Sequence, residues 1–252
     1  MSSPRTPPRF FVPDSAIVGE RAVLSGDERH HLRVRRVRPG AQVELFDNRG
    51  RVFDAVVESL NQDRVELRVT ERRSRARESS LDLTLAVALL KADKLDLVIE
   101  KATELGVRRI VLFTCERTLG GSSAARIERW RRIAVSAAKQ CGRSVVPAIE
   151  GPEPLAALAT RRADLRLVCW EAAGSSEVRP LADMPPLAAT ASSVLIIVGP
   201  EGGFAEDEIH ALRDAGVQVV SLGPRILRGE TAAIVAIAMA QARWGDGALV
   251  GS

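Results

Sequence analysis

Along this chain the spacing of apolar residues changes once, near residue 80. From Arg9 to Thr70 they come in short runs, RFFV, AQVELF, RVFDAVVESL and RVELRV, separated by the turn-forming clusters RPG, DNRG and NQD. Short runs between such clusters predict strands joined by tight turns. One helix is expected among them. Ser25 and Glu28 stand in the S-x-x-E arrangement, in which hydroxyl and carboxylate cap backbone N–H groups reciprocally. The segment then carries His30, His31, Arg33, Arg35 and Arg36 toward a turn at Pro39-Gly40. Residues 1–73 are therefore expected to form a small β-barrel with one helix.

The polar stretch ERRSRARESS, Glu71 to Ser80, has no apolar periodicity, and a linker is expected at residues 74–80. Beyond it, strand-length and helix-length patterns alternate. LTLAVALL, RRIVLF, LRLVCW, VLIIV and VQVVSL are continuous apolar runs, as strands covered on both faces should be. Helices are expected over Lys94 to Leu105, Ser123 to Cys141, Pro154 to Ala159, and Glu206 to Ala215. The first two and the last end at Gly106, Gly142 and Gly216. A last helix, Glu230 to Arg243, is apolar on nearly every side and is expected to be buried. Residues 81–252 thus predict an α/β domain built on a parallel sheet.

Charge adds one asymmetry. Residues 1–80 hold 16 Arg and no Lys against 12 acidic residues, whereas residues 81–252 balance 20 basic against 20 acidic, so the whole net charge of +4 lies at the N-terminal end. Arginine grips phosphate with a planar fork and stacks on bases, which suits nucleic acid as well as a solvated surface. Cys115, Cys141 and Cys169 are far apart and lack CxxC spacing, so neither a disulfide framework nor a zinc site is expected. No metal is expected, and adjacent His30 and His31 do not share a helix face. No apolar stretch approaches the roughly 20 residues of a membrane span, and a soluble cytoplasmic protein is the expectation.

Open α/β sheets bind ligands at the carboxyl ends of their strands, and two loops there stand out. In VGPEGGFAEDEI, Val198 to Ile209, a strand ends at Gly199, Pro200 stiffens the exit, and Gly202-Gly203 allows close backbone approach to a ligand. SLGPRILRGETAAIVAIA, Ser221 to Ala238, runs through Gly223-Pro224 into the last helix. Neither is a GxGxxG or GxxxxGK[ST] loop, so nicotinamide or nucleoside-triphosphate binding has no motif support.

The two loops together, GPEGGF at 199–204 and LGPRILR at 222–228 leading into ETAAIVAIA, resemble the paired loops of RsmE-type methyltransferases of the knotted SPOUT class. The likeness extends to ELGV at 104–107, Cys-Glu-Arg-Thr at 115–118 and RWRRIAVSAAKQCGRSVVP at 129–147. RFFVP and HLRVRRVRPG are similar to that family's PUA-like N-terminal domain. The resemblance implies a trefoil-knotted C-terminal domain, S-adenosylmethionine as cofactor, a homodimer, and methylation of a uridine N3 in 16S ribosomal RNA of the small subunit. It implies cofactor contacts from Gly199, Pro200, Glu201, Gly202 and Gly203, from Leu222, Gly223, Arg225, Ile226, Leu227 and Arg228, and from a turn after Trp170 where Glu171 and Ala172 are candidates.

Methyl transfer from a sulfonium needs positioning above all, but uracil N3 must also lose its proton. Arg228 is expected to orient the uracil and stabilise its developing anion, with Glu201 or Glu230 accepting the proton. The rival reading of Arg228 is an ion pair with Glu230 at the start of the last helix. Gly229 stands where the family usually has Thr. Arg33, Arg35, Arg36 and Arg38 are expected to grip RNA phosphates, with Arg143 also reaching the substrate. Trp130 is expected in the core, beside Arg131 and Arg132. The alternatives are methylation of another RNA position by the same class of enzyme, and a non-catalytic RNA-binding factor in ribosome assembly.

Overall fold

The computed structural model describes residues 7–74, 77–170, 178–188 and 191–246. They divide into two compact units, Met1–Glu78 with Ala138–Val146, and Ser79–Ala137 with Pro147–Ser252.

In the first unit, strands β1 (Arg9–Phe11), β2 (Ile17–Val18), β3 (Arg21–Leu24), β4 (Gln42–Phe46), β5 (Arg51–Leu60) and β6 (Val65–Ser74) form one sheet in the order β1-β4-β5-β6-β3-β2. It curls into a half-barrel. The long β5–β6 hairpin alternates as half-buried strands must. Phe53, Ala55 and Val57 point inward with Val65, Leu67 and Val69 and join Phe10, Leu24, Leu32 and Leu45 in a common core. Each such side chain contributes about 1.5–3 kcal/mol on burial. Leu32 comes from helix α1 (Gly26–Val34), which starts directly after Ser25 as expected. The expected capping box is not made, however, because the Ser25 side chain caps nothing. Glu28 instead accepts from Phe11 N at 3.2 Å and from Lys139 Nζ at 2.6 Å.

Segment Ala138–Val146 joins this unit through side chains that the linear pattern does not reveal. Arg9 lies 5.0 Å from the centre of the Phe46 ring and donates to the carbonyls of Ala138 and Arg143 at 3.1 and 3.0 Å, while its Nε pairs with Glu44.

The second unit contains β7 (Asp82–Ala88), α2 (Ala92–Glu104), β8 (Arg109–Thr114), α3 (Ala124–Cys141), β9 (Ala148–Pro154), α4 (Leu155–Leu158), β10 (Leu165–Cys169), β11 (Arg179–Pro180), β12 (Ser193–Val198), α5 (Glu206–Asp214), β13 (Gln218–Ser221) and α6 (Gly229–Trp244), except for the last turn of α3. Its seven strands are parallel throughout, in the order β11-β13-β10-β12-β7-β8-β9. The five continuous apolar runs are its five inner strands. Helix α2 buries Leu95, Val98, Ile99 and Ala102, the i, i+3, i+4, i+7 stripe of an amphipathic helix. Both α2 and α5 stop at left-handed glycines, Gly106 (φ 83°) and Gly216 (φ 82°). Helix α6 departs from the expectation of complete burial: Ala233, Ala236, Ile237 and Ala240 are buried, but Thr231, Ala238 and Ala242 face outward.

Candidate functional site at the carboxyl ends of the sheet

Strands β10, β12 and β13 end on one side of the second unit, and the segments leaving them surround a cavity of about 550 Å³. That lies within the roughly 300–1,000 Å³ typical of small-molecule sites. Val198, Gly199, Pro200, Glu201 and Gly203 form one wall, and Leu222, Gly223, Arg225, Ile226, Leu227 and Arg228 form another. The sequence brings every expected loop residue except Gly202 to this cavity. Gly202 faces away, where a Cβ would stand 3.1 Å from Arg117 Cβ.

Two glycines set the walls. Gly199 lies under the Phe204 ring, so close that a Cβ would come within 2.8 Å of it, and that ring stacks on Phe113 at 6.3 Å between centres. Gly229, at the first turn of α6, lies between Leu90 and the Gly199 carbonyl, where a Cβ would meet Leu90 Cδ2 at 3.1 Å and the Gly199 oxygen at 3.4 Å. The two loops therefore touch backbone to backbone where any larger side chain would push them apart.

Sequence reasoning missed Lys94, Cys169, Trp170, Phe204 and Ala232 among the lining residues. Lys94 belongs to helix α2. It stands in the first turn after β7, the strand beside β12, and so at the same sheet edge. Its Nζ lies 3.3 Å from Glu201 Oε1 and 3.5 Å from Glu230 Oε2. Burial pushes the Glu201 carboxyl up, but its own backbone N–H, that of Lys91 and the Lys94 ammonium outweigh burial and hold it below the usual carboxylate range. Glu230 does not line the cavity. Its Oε2 is buried and accepts no hydrogen bond among the described residues. The anticipated Arg228–Glu230 pair is absent among the described residues, where the cation beside Glu230 is Lys94.

Arg225 and Arg228 are exposed at the lip, and among the described residues neither side chain makes a hydrogen bond or ion pair. Between them Ile226 is 76% exposed. Cys169 supplies apolar wall, since burial pushes its thiol up to about 12 and keeps it neutral. All three cysteines are free. Glu171 and Ala172 lie outside the described residues. Among the described residues no group of three or more His, Cys, Asp or Glu could hold a metal ion.

The cavity suits a nucleoside carrying a charged tail. Val198, Leu222, Leu227 and Ala232 offer apolar surface for a base, while Lys94 and Glu201 place both signs of charge side by side. S-adenosylmethionine has this composition, and the residues present fit it.

In the first unit, Arg33, Arg35, Arg36 and Arg38 are all exposed on α1 and the turn after it. Arg143, expected at the substrate, is turned inward instead. It is 3% exposed, and its Nε and Nη2 donate to Glu78 at 2.9 and 2.8 Å. Trp130 is buried as expected, its indole N–H bonded to Asp96 at 3.0 Å.

The chain matches the model of the RNA methyltransferase domain family over residues 77–241 and that of the RNA methyltransferase PUA domain over residues 24–70. It is 36% identical over 239 residues to the ribosomal RNA small subunit methyltransferase E of Mycobacterium tuberculosis, covering 90% of this chain and 88% of that one. The protein of the same name from Bacillus subtilis is 32% identical over 222 residues, covering 85% and 87%. Among solved structures, a ribosomal RNA small subunit methyltransferase E from Neisseria gonorrhoeae bound to S-adenosyl methionine superposes with a TM-score of 0.86 and 34% identity, covering 95% of this chain and 99% of that one.

Proposed function

We propose the following from the premise that this chain belongs to the RNA methyltransferase family represented by the ribosomal RNA small subunit methyltransferase E proteins. The protein is an S-adenosylmethionine-dependent methyltransferase of small-subunit 16S ribosomal RNA, and its target atom is N3 of a uridine. The observation that carries the reading is the cavity at the strand ends, which both loops expected to hold the cofactor line.

When bound, the cofactor supplies an electrophilic methyl group, and the protein's task is placement. Leu222 and Leu227 offer the base an apolar slot, and Gly199 and Gly229 let the two walls close to backbone contact. Arg228, exposed at the lip without a partner among the described residues, is free to face the uracil and stabilise the negative charge that grows as N3 loses its proton. Glu201 is a poor proton acceptor because its carboxyl is held low. Glu230, with an oxygen that accepts no hydrogen bond among the described residues, stands behind the lining and not in it.

The outward Thr231, Ala238 and Ala242 leave α6 with a small-residue face that suits a second copy of the chain, so the enzyme works as a homodimer. Among the described residues no helix is long and apolar enough to cross a membrane. A ribosomal substrate places the work in the cytoplasm.

Incubation with radiolabelled S-adenosylmethionine and unmodified small ribosomal subunits, followed by nucleoside analysis, tests the reading. Label in N3-methyluridine, lost in Arg228→Ala, is the expected result. Label in another nucleoside would keep the enzyme class and overturn the target. Cofactor binding with no label anywhere would favour a non-catalytic assembly factor.

A further inference from the structure

Lys94 is the one ammonium among the described residues that line the cavity, and it is loosely held. Its distances to Glu201 and Glu230, 3.3 and 3.5 Å, both exceed the roughly 2.7–2.9 Å of a charge-assisted hydrogen bond. Its side chain is 24% exposed, and its three N–H donors exceed the two long contacts it makes. A cation so placed gains from a further, well-aligned anion.

The surrounding charges say which anion. Lys94, Glu201 and Glu230 together carry one positive and two negative charges, a net −1 that favours a sulfonium nearby. Within that cluster Glu201 stays ionised at neutral pH and offers an acceptor for an ammonium, while Lys94 offers donors to a carboxylate. Arg225 and Arg228, the other cations of the lining, are out on the exposed lip. Among the described residues that line the cavity, a ligand tail with an ammonium and a carboxylate on one carbon finds both counter-charges side by side at Lys94 and Glu201.

We propose that Lys94 and Glu201 form the seat for the amino-acid end of the cofactor, Lys94 binding its α-carboxylate and Glu201 its α-ammonium. This assignment rests on the cofactor reading above and adds a residue outside both loops. It gives Glu201 a binding role in place of proton transfer. It also makes helix α2 the third element of the site, with Glu230 3.5 Å from Lys94 on its other side.

Isothermal titration of the purified protein with two product-like ligands tests it. S-adenosylhomocysteine carries the amino-acid tail, and 5′-methylthioadenosine lacks it. In Lys94→Met, S-adenosylhomocysteine should lose about tenfold or more in affinity, the scale of one hydrogen bond to a charged group. Methylthioadenosine should bind as it does to the unchanged protein, which also shows that the variant is folded. Lys94→Arg should retain most of the affinity for S-adenosylhomocysteine. Equal losses for both ligands would overturn the proposal and make Lys94 a brace between loops, and no loss for either would overturn it outright. Failure of the unchanged protein to bind S-adenosylhomocysteine would instead remove the cofactor reading on which it rests.

Discussion

Arg117 reaches from the loop after β8 to the backbone of the loop at 199–204, donating from Nη1 to the carbonyl of Gly202 at 3.3 Å and to that of Phe204 at 3.5 Å. From the neighbouring residue the Glu116 N–H donates to Glu208 Oε1 at 2.9 Å, and the other oxygen of Glu208 accepts from Ala205 N at 2.9 Å. The loop at 199–204 is thus held from behind, on the side away from the cavity. This explains why Gly202 belongs to the loop motif without lining the cavity: its missing side chain makes room for Arg117.

Replacing Arg117 by alanine should therefore weaken cofactor binding and leave the fold intact. The side chain is exposed, and an exposed hydrogen bond of this kind contributes about 1 kcal/mol. S-adenosylhomocysteine affinity by calorimetry should fall about fivefold, with an unchanged thermal transition. Unaltered affinity would mean that the loop keeps its shape without the brace.

A second prediction concerns stability in the first unit. Glu78 accepts from Arg143 Nε and Nη2, and its other oxygen accepts from the backbone N–H groups of Ser144 and Val145 at 2.8 and 3.0 Å. With the Arg143 side chain only 4% exposed, Glu78→Ala leaves a buried guanidinium without this counter-charge, at a cost of about 3 kcal/mol. The double variant Glu78→Leu with Arg143→Met should recover much of that loss, because the penalty lies in stranding one charge. Calorimetric unfolding of the single and double variants measures both, and a single variant as stable as the parent would show that the pair is neutral.

The elements with a strong local pattern were legible: five apolar runs became the five inner parallel strands, and Gly106 and Gly216 end helices where the sequence placed them. Strands with a weak local pattern were not. Strand β9 contains Gly151, Pro152 and Pro154, residues that suppress any strand signal, and β3 is four residues long. Of the site, the two loops could be read because glycine and proline mark strand exits. Lys94 could not, since nothing local in KADK separates a cavity lysine from a solvated one. The same holds for Arg143, whose neighbourhood reads as basic surface, yet whose partner Glu78 stands 65 residues away. The Ser25 capping box failed because Glu28 has a stronger claim on it in Lys139, 111 residues distant.

A third prediction follows from His31. Its ring meets Phe10 edge-on at 5.7 Å, its Nε2 accepts from Arg35 Nε at 3.1 Å, and Lys139 Nζ lies 3.2 Å from Nδ1. Burial first, and then the charges of Lys139, Arg35 and His30, lower its pKa. The unfolded chain therefore takes up a proton near pH 6.5 before the folded one does, and stability declines as pH falls from there toward the lower folded value. Urea midpoints measured between about pH 7.5 and 5.5 should fall in the parent and fall less in His31→Asn. Parallel pH profiles would place the dependence on other groups.

The last prediction separates the RNA surface from the buried arginine. Arg33, Arg35, Arg36 and Arg38 stand exposed within six residues, and none of the four forms a salt bridge with a carboxylate among the described residues. If they neutralise phosphates, binding releases counterions, and log K falls with log salt by about 0.7–0.9 per contact. Arg33→Ala with Arg38→Ala should flatten that slope by about 1.4–1.8 and weaken RNA of any sequence alike, because phosphate contacts carry little base information. Both positions avoid Arg35, which is bonded to His31. Arg143→Met, by contrast, should lower stability and leave the slope unchanged, since its guanidinium faces Glu78 and not solvent. Filter binding of a small-subunit RNA fragment between about 50 and 200 mM salt distinguishes the two. An unchanged slope in the double variant, or a flattened one in Arg143→Met, would move the RNA grip away from α1.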